Sequence, residues 1–118
     1  MSESIVQKKI ARLIQEEMAA ILMQGKYVSG GMLTVSQERV TSDLSLAKIY
    51  VTIFPDSLLE SAVESLNGNH WELRKLLSAR IRNKMRKMPE LRFYADDSFR
   101  EADRIDQLFK DLKEEDPS

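Results

Sequence analysis

The chain has 118 residues, 42% of them apolar, which suffices for one domain with a modest core and leaves no room for a second. It has no cysteine and a single histidine, so disulfides, thiolate metal sites and thiol nucleophiles are excluded and a histidine-built zinc site is not expected. Formal net charge is −1, but the charge is unevenly distributed. Arg74, Lys75, Arg80, Arg82, Lys84, Arg86 and Lys87 lie between Leu73 and Met88 with no acid among them. Beyond Phe93 the balance reverses, with Asp96, Asp97, Glu101, Asp103, Asp106, Asp111, Glu114, Glu115 and Asp116 against Arg100, Arg104, Lys110 and Lys113. No apolar run approaches the roughly 20 residues of a membrane span, and Met1 leads into Ser2, Glu3 and Ser4 rather than a basic and then an apolar stretch. The expectation is a soluble, unexported, cytoplasmic protein with no membrane contact.

Ile10, Leu13, Ile14, Met18, Ile21 and Leu22 recur at steps of three and four, the stripe of a helix opening near Ser4 and closing at Gly25. Ser29-Gly30-Gly31 breaks it. Leu33 and Val35 then alternate with Thr34 and Ser36. Ala47, Ile49, Val51 and Ile53 alternate with Lys48, Tyr50, Thr52 and Phe54. Both runs predict half-buried strands, and Ser42, Asp43 and Ser45 supply turn chemistry for an antiparallel pair. Pro55 ends the second strand.

Ser57 with Glu60 has the spacing of a capping box, opening a helix that turns Leu59, Ala62, Val63 and Leu66 inward. Asn67-Gly68-Asn69 interrupts it. A second helical stripe, Leu73, Leu76, Leu77, Ile81 and Met85, predicts a helix from about Trp71 to Lys87, which Pro89 stops. Leu91, Phe93 and Ala95 predict a third strand. Ser98 with Glu101 then opens a terminal helix carrying Ala102, Ile105, Leu108, Phe109 and Leu112. The order is helix, strand, strand, helix, helix, strand, helix. That is an α+β domain whose small three-stranded sheet is covered by helices on one face.

On the helix predicted after Asn69, the stripe Leu73, Leu77, Ile81, Met85 faces the core, which leaves Arg74, Arg82 and Arg86 on the flanks and Lys75 and Lys84 further out. Such a row can follow a phosphate backbone, because guanidinium groups match phosphate oxygens and each neutralised phosphate releases counterions. A merely solvated helix is the competing reading. It usually intersperses acids at i,i+4 to offset self-repulsion, and none occurs here. Gly68 ahead of a helix N-terminus can approach a phosphate, or can belong to a plain interhelical turn with an N-cap. Trp71 and His70 can stack on a base, although a lone Trp among apolar neighbours more often lies in or at the core.

Enzymatic readings find no support. Glu16-Glu17 and Asp96-Asp97 are adjacent pairs, and adjacent carboxylates point apart on helix and strand alike. No Gly-rich phosphate loop, nucleophile elbow or His-Glu zinc pattern is present.

The strand Leu33-Thr34-Val35-Ser36 and the run from Val40 to Val51, VTSDLSLAKIYV, resemble the signature of the ribosome-binding factor A family, in which an SPDLSxAxVYV-type segment joins the first two strands. Thr41-Ser42 stands where that pattern has Ser-Pro. The segments Leu73-Arg74-Lys75, Pro89-Glu90-Leu91-Arg92-Phe93, Asp96-Asp97-Ser98 and Arg104-Ile105 are similar to the rest of the pattern, in the same order. The likeness spans about residues 5 to 112.

The resemblance implies a type II KH-like fold. It also implies a non-catalytic RNA-binding factor that acts on free small ribosomal subunits in late maturation and small-subunit rRNA processing, with a role in cold adaptation and no cofactor. Members of the family carry an Ala-x-Gly kink between the two central helices. Here that motif falls on Asn69, His70 and Trp71, unmatched at both ends, so Gly68 between its asparagines is expected to take over the bend. Ser78 stands where many members have glycine.

The expected organisation is one KH-like RNA-binding domain over residues 1–113, followed by an acidic flexible tail over 114–118. A monomer that holds small-subunit rRNA within the free subunit is expected. The RNA-binding residues expected are Arg74, Lys75, Arg80, Arg82, Lys84, Arg86 and Lys87, with Lys8, Lys9 and Arg12 of the first helix as weaker candidates. The alternative is a protein-interaction adaptor that docks a basic partner through its acidic C-terminal helix.

Overall fold

Helix α1 runs from Ile5 to Leu22 and begins with the capping box its sequence allows. The Ser4 hydroxyl accepts from the Gln7 backbone N–H at 3.1 Å, and the Ser4 N–H donates to Gln7 Oε1 at 2.9 Å. This computed structural model describes residues 4–24, 27–85 and 87–98. The terminal helix expected after Ser98, with its capping box at Glu101 and the acidic tail, lies outside the described residues.

Strands β1 (Met32–Val40) and β2 (Leu46–Phe54) pair antiparallel, and β3 (Glu90–Ala95) joins β2 in parallel, giving the order β1-β2-β3. The β1–β2 turn is held by Asp43. Its carboxylate accepts from the Ser45 N–H at 3.1 Å and from the Ser45 and Thr41 hydroxyls at 2.7 Å each. These bonds, led by the Ser45 hydroxyl, hold the Asp43 carboxyl down at about 2. Thr41, where the family pattern has serine, also accepts from the Leu46 N–H, so the turn closes without the pattern's proline.

β1 is longer than the pattern Leu33, Val35 suggests. A bulge between Val35 and Gln37 inserts Ser36, and the alternation resumes one residue out of phase. The polar run Gln37-Glu38-Arg39 disguises this continuation. The shift turns Glu38 to the core side, where it is buried and, among the described residues, neither carboxylate oxygen has a hydrogen-bond partner. Burial raises its carboxyl to about 9, so it is protonated at neutral pH.

After β2 the chain makes a 3-10 turn at Asp56–Leu58 and enters α2, Leu59–Gly68. The expected Ser57 capping box does not form: α2 has Leu58 as its N-cap, with no side-chain bond. The 3-10 turn ahead of α2 takes the place of a capped start, because the chain approaches already coiled and Leu58 has helical dihedrals. Helix α3, His70–Ile81, follows after one residue. Ala11, Ile14, Met18, Ile21 and Leu22 of α1, Leu59, Ala62 and Leu66 of α2, and Leu73, Leu77 and Ile81 of α3 meet the inward row Ala47, Ile49, Val51, Ile53 and Leu91, Phe93 in one core. The helices pack on one face of the sheet, the α+β, KH-like arrangement that the sequence implies.

Candidate RNA interface

The junction between α2 and α3 orients the basic helix. The break falls on Asn69 (φ −109°, ψ 19°), while Gly68 is the last residue of α2, and a Cβ placed on it would meet nothing within 4 Å. The bend therefore does not depend on glycine, contrary to expectation. Asparagine side chains make it: Asn69 Nδ2 donates back to the Ser65 carbonyl at 2.8 Å, and Asn67 donates to the Phe93 carbonyl and accepts from the Phe93 N–H. Asn69 is the N-cap of α3, its carbonyl accepting from the Leu73 N–H at 3.0 Å, but its side chain makes no capping bond to that helix.

With Leu73, Leu77 and Ile81 fully buried, helical spacing turns Trp71, Lys75, Ser78, Ala79 and Arg82 outward along one shallow groove. Trp71 is 68% exposed and lies outside the core; its ring centroid is 5.1 Å from that of His70. Lys75 and Arg82 are exposed, and among the described residues neither meets a carboxylate.

Three of the expected RNA-binding residues, Arg74, Arg80 and Arg12, have other partners. Arg74 is half-buried and donates through Nε to the Pro89 carbonyl at 3.1 Å and through Nη2 to the Met88 carbonyl at 2.8 Å, tying down the segment that leads into β3. Arg80 reaches Glu17 of α1 at 2.5 Å, so the acid missing from the basic run is supplied by a neighbouring helix. Lys84 and Lys87 are exposed but stand beyond α3, and the side chain of Arg86 lies outside the described residues. On α1, Lys8 and Lys9 are exposed, while Arg12 bonds Glu16 at 3.2 Å.

Helix α3 ends at Ile81, not at Lys87 as its apolar stripe suggests. Arg82 is its C-cap and Met85 is half-buried after it. Six more helical residues would carry the chain about 9 Å farther along the axis. The chain instead has to turn back so that the Glu90 N–H can reach the Ser45 carbonyl at 2.9 Å.

Sequence reasoning passed over the outward positions of the strands. Register places Arg39, Lys48 and Arg92 side by side, and Gln37, Tyr50 and Tyr94 in the next row, on the sheet face that none of α1, α2 and α3 covers. The signal was present in the alternation, but only pairing brings the rows together. Among the described residues no group of three or more His, Cys, Asp or Glu could hold a metal ion, and no helix is long and apolar enough to cross a membrane. Glu38 is the buried ionisable side chain among the described residues, and no hydrogen-bond partner reaches it there.

Comparison with known proteins agrees with this architecture. Residues 6–109 match the family described as "Ribosome-binding factor A". The chain is 41% identical over 113 residues to the ribosome-binding factor A of Christiangramia forsetii, covering 93% of this chain and 86% of that protein. It is 40% identical over 111 residues to that of Chlorobaculum tepidum, covering 93% and 92%. The crystal structure of ribosome-binding factor A from Thermus thermophilus shares the fold with a TM-score of 0.65 at 23% identity, covering 75% of this chain and 93% of that one. A homology model of the Thermus thermophilus factor, fitted into a cryo-EM map of a 30S complex, superposes with a TM-score of 0.61 at 25% identity over 74% of this chain and 91% of that one. With the family pattern matched over most of the chain and the fold shared with its solved members, the chain belongs to the ribosome-binding factor A family.

Proposed function

We propose that this chain is a non-catalytic, cytoplasmic RNA-binding assembly factor that acts as a monomer on free small ribosomal subunits, in late maturation and small-subunit rRNA processing, and supports growth in the cold. It works by occupancy, holding a local rRNA arrangement and then leaving. The observation that carries this reading is the outer face of α3, where an exposed indole lines one groove with two cations, Lys75 and Arg82, that meet no carboxylate among the described residues. Cations that lack a carboxylate neighbour are available to phosphates, and an aromatic ring at the edge of the groove is available to a base. Lys84 and Lys87 extend the same charge beyond the helix; Arg86, Lys8 and Lys9 are further candidates. Arg74, Arg80 and Arg12 serve first to hold the fold or its surface together.

The family membership supports the ribosomal partner, since a relative has been placed in a 30S complex. The test is co-sedimentation with purified small subunits over a salt series. Binding should be retained at low salt and fall steeply as salt rises, and the Lys75→Glu, Arg82→Glu double variant should remain at the top of the gradient. Equal binding by wild type and double variant at every salt concentration would refute α3 as the interface.

A further inference from the structure

The sheet face that α1, α2 and α3 leave uncovered holds a second arrangement suited to RNA. Three strands each contribute one cation to a single row: Arg39 pairs with Lys48 across β1 and β2, and Lys48 with Arg92 across β2 and β3. Adjacent strands lie about 4.8 Å apart, so the row crosses about 10 Å. Like charges directly opposite one another destabilise a sheet, and among the described residues none of the three meets a carboxylate. Beside this row, Tyr50 and Tyr94 face one another from paired positions, ring centroids 5.4 Å apart and planes 27° apart, both half-exposed. A shallow depression lined by Arg39, Thr41, Lys48 and Tyr50 connects the row to the rings.

We propose that this face is a second RNA-binding surface, taking a short single-stranded segment whose phosphates lie along Arg39, Lys48 and Arg92 and one of whose bases stacks on the Tyr50–Tyr94 pair. It deepens the RNA-binding reading of the chain and rests on it. The chemistry favours nucleic acid over an acidic peptide because the cations are combined with a stacked aromatic pair, and stacking on aromatic side chains is how sheet surfaces hold unpaired bases. Because α3 lies on the opposite, covered side of the sheet, the chain can engage two RNA elements at once, a duplex or loop at α3 and a single strand at the sheet.

The test uses the full chain and a labelled single-stranded RNA of ten nucleotides, with anisotropy as the readout and small-subunit sedimentation in parallel. Arg92→Glu, at an exposed position, and Tyr94→Leu should each weaken oligonucleotide binding about tenfold, with unchanged circular dichroism. The Lys75→Glu, Arg82→Glu variant should lose small subunits while keeping most of its oligonucleotide affinity. On adding the RNA to wild type, the ring proton signals of Tyr50 and Tyr94 should shift.

If Arg92→Glu and folded Tyr94→Leu bind the oligonucleotide as wild type does, the second surface is refuted, whatever α3 does. If the tyrosine signals ignore RNA but move when Glu114 and Glu115 are replaced by lysine, the face is covered by the chain's own acidic C-terminus and the proposal fails. Loss at the sheet variants with no effect of the α3 variant would instead leave this surface standing and overturn the α3 interface.

Discussion

The amide of Asn67 acts toward Phe93 as a neighbouring strand would: Nδ2 donates to the Phe93 carbonyl at 2.9 Å, and Oδ1 accepts from the Phe93 N–H at 2.8 Å. β3 is an edge strand, and one side chain from the end of α2 satisfies the edge-facing backbone of its central core residue while fixing where α3 begins. Asn67→Ala leaves both Phe93 groups without these partners and should cost about 1–3 kcal/mol in urea unfolding. Asn67→Asp, which can accept but not donate, should fall between Ala and wild type; equal stability of all three would mean the pair does not hold the junction.

Gly68 is helical, exposed and free of any neighbour that a methyl group would touch. Gly68→Ala should raise stability by about 0.5–1 kcal/mol, since alanine loses less backbone entropy on entering a helix. A destabilised Gly68→Ala protein would show that the bend depends on glycine after all.

Glu38 gives stability an unusual pH dependence. Its carboxyl, 4.5 when free, is raised to about 9 by burial, so between these values the folded chain holds a proton that the unfolded chain has released. Its contribution therefore weakens folding as pH rises from about 4.5 towards 9, with a slope of up to about 1.4 kcal/mol per pH unit. Glu38→Gln should flatten the thermal midpoint across that range. A midpoint profile identical to wild type would place the Glu38 carboxyl in water rather than in the core.

Basic residues of one helix should separate into two groups when replaced. Lys75→Glu with Arg82→Glu should abolish small-subunit binding and change stability by no more than about 0.5 kcal/mol, as expected of exposed positions. Arg74→Ala should instead lower stability by about 1–3 kcal/mol through loss of its bonds to the Met88 and Pro89 carbonyls. Ile81→Ala, fully buried, should cost about 2–5 kcal/mol and leave binding intact in the folded fraction. Matching stability losses for the Lys75/Arg82 pair and Ile81 would show that the faces of α3 are wrongly assigned.

Much of this architecture is legible along the chain because it follows from local periodicity. The stripe Leu73, Leu77, Ile81 marks the inner side of α3, the alternation Ala47 to Ile53 marks β2, and Ser4 with Gln7 provides the cap that starts α1. Charge segregation marks the basic run, and five of its six described residues, Lys75, Arg80, Arg82, Lys84 and Lys87, are exposed. What tertiary structure decided is which charges are already engaged. Arg74 is occupied by carbonyls more than ten residues away and Arg80 by a carboxylate on α1, contacts that no spacing rule encodes. The same holds for the bulge that buries Glu38, for the early end of α3 forced by the return to Ser45, and for the row Arg39, Lys48, Arg92. Periodicity tells each residue which way to face within its own element; register and packing choose the neighbours it will meet there, and these depend on the whole chain closing around one core.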